Sequence, residues 1–142
     1  KQVAIMMLDL NNFKNVNDTA GHSAGDQILL EVARRFLKVM RRTDTLARLG
    51  GDEFGVLLPL SDNAIDSALM VVNKIHSCFE EDFIYGSNHY QLGISIGVAL
   101  YPEHGENANV LVNCADNAMY ISKNKNLKYR IYNPRKDYVY SS

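Results

Sequence analysis

Cysteine, proline and an excess of either charge are all scarce in this chain. Among its 142 residues stand two cysteines, three prolines and nine glycines. That composition excludes a collagenous repeat, a disordered tail and a small secreted disulfide knot. Cys78 and Cys114 lie far apart without CxxC spacing, which suits a reducing compartment, so a cytoplasmic location is expected. Fifteen basic against sixteen acidic side chains leave a net charge of −1. A partner of the long nucleic-acid class would need a basic surface that the sequence does not announce. No apolar run approaches the roughly 18 residues of a membrane-spanning helix, and no signal peptide opens the chain. The sequence starts directly in a strand-like run, which reads as an excised piece of a longer parent protein that has room for a membrane anchor. What remains is the size and the 46% hydrophobic content of one domain with its own core.

Val3–Leu8 is a continuous apolar run ending at Asp9, a pattern that predicts a strand buried on both faces with a carboxylate at its C-terminal end. Leu29, Val32, Ala33, Phe36, Leu37 and Met40 recur at helical spacing and predict an amphipathic helix over Asp26–Arg42. Thr45–Leu49 and Phe54–Leu58 flank Gly50–Gly51 and predict a β-hairpin. Ser61 or Asp62 is placed to cap a further helix with the stripe Ile65, Leu69, Val72, Ile75 and Phe79. A turn is expected at Gly86–Asn88. From Gln91 to Leu100, large apolar residues alternate with Gly93, Ser95, Gly97 and Ala99. This strand has one small face, which implies the close approach of another element. A helix carrying Val110, Leu111, Cys114, Ala118 and Ile121 follows, then a short strand at Tyr129–Tyr132. Asn133–Ser142 reads as a linker or tail. The order β-α-α-β-β-α-β-α-β predicts one α+β domain, a central, mostly antiparallel sheet flanked by helices.

The chemistry concentrates between Asp9 and Glu53. Carboxylates at a strand end and at an adjacent hairpin tip are what a Mg²⁺ phosphoryl-transfer site uses, because Mg²⁺ takes one or two carboxylates and completes its shell with water and phosphate oxygens. On spacing alone, the commoner origin of acidic residues beside a Gly-Gly turn is a solvated hairpin tip.

Arg48-Leu49-Gly50-Gly51-Asp52-Glu53-Phe54 resembles the signature of the GGDEF family, the diguanylate cyclases. Asp9–Asp18, Gly21–Asp26, Ser95–Ala99 and Ala115–Tyr120, with Lys123 closing the set, resemble that family's other blocks in order. The resemblance covers about Val3 to Tyr132, so residues 1–132 are read as the family domain, without the segment that usually precedes its first strand. It implies a fold similar to the palm of polymerases and nucleotidyl cyclases. The implied reaction condenses two GTP into cyclic di-GMP and two pyrophosphates. Two domains face each other as a homodimer, and two Mg²⁺ ions serve each active site, with Mn²⁺ able to substitute. Carried over by position, Asp9, Asp52, Glu53 and the Leu10 carbonyl are implied metal ligands. Asp52, Glu53 and Lys14 are the catalytic set, although which acid takes the 3′-hydroxyl proton is open. Asn17 and Asp26 are implied guanine contacts, fitting an amide and a carboxylate against the base edge; in isolation they read as a turn residue and a helix cap. Phe13, Lys14, Gly51 and Lys123 are implied around the phosphates, although a lone lysine on a helix is ordinarily solvated. His22 reads as an organiser of its turn.

Arg41-Arg42-Thr43-Asp44 matches the family's RxxD inhibitory site, at which product would bind Arg41 and Asp44. A basic helix end followed by a polar turn is the alternative. Asn126 and Leu127 stand where the family carries a glycine and a phosphate-gripping arginine, and Lys125 or Lys128 could substitute. That departure keeps a second function open: a catalytically weak module that binds GTP or cyclic di-GMP and regulates an attached output domain. A different palm-type enzyme is a third reading, opposed by Asn17 and Asp26.

Overall fold

The computed structural model describes residues 1–60 and 63–137. Its elements are β1 (Gln2–Asn11), α1 (Phe13–Ala20), α2 (His22–Val39), β2 (Thr45–Gly50), β3 (Glu53–Leu60), α3 (Ala64–Ser77), β4 (Phe83–Tyr85), β5 (Asn88–Tyr90), β6 (Gly93–Tyr101), α4 (Ala108–Asn124) and β7 (Arg130–Ile131). The main sheet has five strands in the order β2-β3-β1-β6-β7, and β4 and β5 form a separate hairpin. Pairing is antiparallel except between β6 and β7. The α+β class with a mostly antiparallel, helix-flanked sheet is therefore observed.

The central strand explains the layout. β1 pairs on both sides, with β3 and β6, as its unbroken apolar run requires. Alternate side chains serve opposite faces. Ala4, Met6, Leu8 and Leu10 join the large core with Val16 of α1, Ile28, Val32 and Phe36 of α2, and Val72 and Ile75 of α3. Ile5 and Met7 instead join a smaller cluster with Leu111, Cys114, Ala115 and Met119 of α4. Asp9 shares their parity.

The small face of β6 is covered by α4, as its composition implies. A Cβ built on Gly97 would lie 2.1 Å from the Ala115 carbonyl oxygen and 2.1 Å from the Met119 nitrogen, so α4 rests backbone to backbone on the strand. Asn107 caps α4, its Oδ1 accepting the Val110 N–H at 3.0 Å.

Several expectations shift. β1 continues past Asp9 because Leu10 and Asn11 still pair with Ile94 and Gly93 of β6. α2 begins at His22, so Asp26 lies within the helix and does not cap it. The expected turn at Gly86–Asn88 is the tip of the β4–β5 hairpin, whose short strands carry too few residues to show alternation. On α3 the buried face is Ala64, Ala68, Val71, Val72 and Ile75; Ile65 is exposed. The caps expected at Ser61 or Asp62 lie outside the described residues. The expected tail instead folds back at its start: Asp137 is buried, pairs with Arg130 and accepts the Asn133 N–H at 3.0 Å. Burial alone would raise the Asp137 carboxyl, but Arg130 and the Asn133 amide outweigh it and hold it below its ordinary value.

Candidate active site

Two strands, the turn that precedes one of them and a helix bring the acidic residues together. Asp9 on β1 stands opposite Glu53 on β3 and Ser95 on β6. The β2–β3 turn runs through Gly50 and Gly51 at φ 142° and 51°, conformations suited to glycine. Two hydrogen bonds pin this turn. Leu10 donates its N–H to the Asp52 carbonyl at 3.1 Å, and the Arg48 guanidinium donates to the Gly51 carbonyl at 2.9 Å. Asp52 thus sits beside Asp9 although they lie 43 positions apart in the chain.

Lys123 reaches this cluster from the last turn of α4, its Nζ 2.5 Å from Asp9 Oδ2. The electrostatics are those of crowded anions. Burial, then the Asp9 charge, raises the Asp52 carboxyl, with Lys123 opposing. Glu53 is raised by burial and by Asp9, Asp116 and Asp52, again against Lys123. A site that disfavours its own negative charges gains from a bound cation.

The other predicted residues lie on the opposite side of β1. Phe13 is buried at the first position of α1, while Lys14 is exposed beside it. The N–H groups that open a helix have no partner inside it, so this end of α1 offers donors to an anion. Asn17 is half-buried on α1 and lies against Gly25 of α2. Asp26 is exposed and lines a cavity of about 440 Å³ with Leu29, Leu30, Ala33, Arg48 and Phe54.

Arg41 and Asp44 are apart from the acidic cluster and joined to each other. The guanidinium donates to Asp44 Oδ1 at 2.8 Å and to the Pro59 carbonyl at 2.7 Å. The Arg41 N–H donates to Asp44 Oδ2 at 2.8 Å. Both line a concavity with Leu37, Met40, Arg42 and Leu46. At the departures, Asn126 adopts φ 56°, the left-handed conformation that asparagine tolerates in place of glycine, and Leu127 is exposed. Asn11 bonds Ser95, whose Oγ donates to Asn11 Oδ1 at 3.1 Å.

Sequence reasoning gave no role to Arg48, Asp116 or Gly25. Asp116 precedes Lys123 by seven residues, two helical turns, so the spacing already placed both on one side of α4. The Arg48 contact depends on the turn's geometry and left no such signal.

The chain matches the family described as "Diguanylate cyclase, GGDEF domain" over residues 1–128. It is 39% identical over 140 residues to the probable diguanylate cyclase DgcE of Escherichia coli, covering 97% of this chain and 12% of that protein. It is 40% identical over 123 residues to the cyclic di-GMP phosphodiesterase PdeR of the same organism, covering 86% and 18%. The chain therefore spans less than a fifth of either relative. The crystal structure of the GGDEF domain of TpbB from Pseudomonas aeruginosa superposes with a TM-score of 0.88 at 36% identity, covering 94% of this chain and 83% of that one. The GGDEF domain of DgcB from Caulobacter crescentus, solved in complex with c-di-GMP, gives 0.81 at 26% identity, covering 92% and 78%. Signature hairpin, sheet order and sequence match agree, and the chain belongs to the GGDEF domain family.

Proposed function

We propose that this domain is a diguanylate cyclase, condensing two GTP into cyclic di-GMP and two pyrophosphates. The observation that carries the proposal is the convergence of Asp9, Asp52 and Glu53 beside Lys123, from two strands, the turn before one of them and a helix. The donor set fits a hard divalent cation. Asp9 and Asp52 are mutually repelling carboxylates beside the Leu10 backbone; among the described residues no three His, Cys, Asp or Glu side chains form a metal-holding group by themselves, so bound phosphate and water would supply most of the shell. Mg²⁺ needs only one or two carboxylates and takes the rest from water and phosphate. Asp9, Asp52, Glu53 and the Leu10 carbonyl would hold two such ions, with Mn²⁺ able to substitute. When bound, they would neutralise charge developing on the attacking and leaving oxygens.

The protein's own groups supply the remainder. The N–H groups of Phe13 and Lys14 with the Lys14 ammonium receive the terminal phosphates, and Gly51 offers bare backbone to the nucleotide. Lys123 exchanges its contact with Asp9 for a phosphate oxygen. Asn17 and Asp26 read the guanine edge. A carboxyl raised by burial, as Glu53 is, is a competent acceptor for the 3′-hydroxyl proton. That oxygen bonds to the α-phosphorus of the GTP on a second domain, and pyrophosphate leaves. The chain is thus active as a homodimer, with product inhibiting at Arg41 and Asp44.

Incubation of the dimerised protein with GTP and Mg²⁺, followed by separation of the nucleotides, tests the proposal. Cyclic di-GMP is expected, and Asp52→Asn should lower turnover by more than about a hundredfold, since losing even an outer partner of a metal ligand costs 10–100-fold. Undiminished turnover in that variant would overturn the assignment. Leu127, at the position of the missing arginine, supports a second reading: a module that binds GTP or cyclic di-GMP and regulates an attached domain. Tight GTP binding without product would select it.

A further inference from the structure

We infer that Gly25 is a specificity-determining position of the nucleotide site, acting through the carboxamide of Asn17. The inference rests on the reading of Asn17 as a guanine contact. A Cβ built on Gly25 would lie 2.1 Å from Asn17 Oδ1 and 3.2 Å from Asn17 Cγ. The carboxamide therefore occupies the space that any other residue at position 25 would fill with its side chain. The next atom, Phe13 Cζ at 3.3 Å, needs to give by only a few tenths of an ångström.

The backbone around this contact resists moving apart. α1 and α2 are separated by Gly21 alone. The Gly21 N–H donates to the Asn17 carbonyl at 3.0 Å, and the Gly25 N–H donates to the Gly21 carbonyl at 3.1 Å. With both ends tied, the side-chain torsions of Asn17 are the softest coordinate available. A methyl group at position 25 would turn the carboxamide into another rotamer and leave the helices in place. Asp26 follows directly on α2 and keeps its position, so one of the two base-reading groups would be redirected and the other left alone. Helix propensity pulls the other way, because alanine is the better residue inside a helix. A purely structural glycine would lose stability on substitution; this one should lose base selectivity while the fold is kept.

Gly25 is therefore a positioning residue, and its test is a double-mutant cycle on the full chain. Wild type, Asn17→Ala, Gly25→Ala and the double variant are compared for equilibrium binding of GTP and of ATP, with the melting temperature measured in parallel. Asn17→Ala and Gly25→Ala should each lower the preference for GTP over ATP by about three- to tenfold, the worth of one neutral hydrogen bond. The double variant should show the same loss as either single one, because alanine at position 25 displaces nothing once the carboxamide is gone. Gly25→Ala should melt at or above the wild-type temperature. Three results would overturn the inference with the base reading intact: wild-type selectivity in Gly25→Ala while Asn17→Ala has lost it, equal weakening of both nucleotides, or unfolding of Gly25→Ala. Unchanged selectivity in Asn17→Ala would instead remove the base reading, and the inference with it.

Discussion

The two faces of the main sheet are built from the same strands and do opposite work. The face beneath α1, α2 and α3 is a continuous apolar core, with Phe36 edge-on to Phe54 at 5.4 Å between ring centroids. The face beneath α4 holds a smaller apolar cluster, together with the glycine contact at Gly97 and the anions Asp9 and Glu53. Side chains alternate, so one stretch of β1 serves both: Leu8 and Leu10 enter the core, and Met7 and Asp9 face the other way. Parity thereby sends the large apolar core and the acidic cluster to opposite faces. A one-residue slip of register would exchange them.

The largest expected effect breaks the core face. Phe36→Ala removes a fully buried ring and should cost about 3–5 kcal/mol, read as a lower urea midpoint. Nucleotide affinity of the fraction still folded should be unchanged. A smaller loss is expected on the other face. Gly97→Ala forces a methyl into the α4 backbone and should cost about 1–3 kcal/mol. Because α4 carries Lys123, this variant should also bind nucleotide more weakly when fully folded, which titration well below its melting temperature would show.

The smallest effect concerns pH. Leu100 donates its N–H to His104 Nδ1 at 2.9 Å, which requires that nitrogen to be unprotonated. The His104 ring packs edge-on against Tyr132, a residue of the α4-side cluster. Burial lowers this histidine below its ordinary value of 6.5, against the pull of Glu103. The unfolded chain then takes up the proton first as pH falls. The contribution is complete above the ordinary value and is lost as pH drops from there through the folded value. Between pH near 8 and pH near 5.5 the loss should stay below about 1 kcal/mol, because the ring is partly solvated. His104→Gln should flatten the profile relative to wild type, leaving the slope due to His76, which burial also lowers. Amide exchange should locate the change in α4 and not in α2.

Much of this division was legible in the chain. The apolar run of β1, the signature hairpin and the small face of β6 each state their role through residue type at fixed spacing, and each is found. Features that depend on distant partners were not. Lys123 meets Asp9 across 114 positions, and alone it reads as a surface lysine. Asp137 reads as tail until Arg130 is seen beside it. Ile65 satisfies helical periodicity, yet the neighbouring register of α3 is buried and Ile65 faces water. Gly25 looks like an unfavourable helix residue until the amide above it is in view.

The clasp between Arg41 and Asp44 has a consequence for any effector that seeks that arginine. Its Nε and Nη2 are already engaged within the chain by Asp44, with the Pro59 carbonyl adding a further acceptor for Nη2. An incoming anion meets an internal competitor that the chain holds beside the guanidinium. Its measured affinity is its intrinsic affinity multiplied by the fraction of molecules in which the clasp stands open. Asp44→Asn weakens the competitor while keeping its shape, so any anion that binds Arg41 should bind this variant at lower concentration than wild type, which a titration would show.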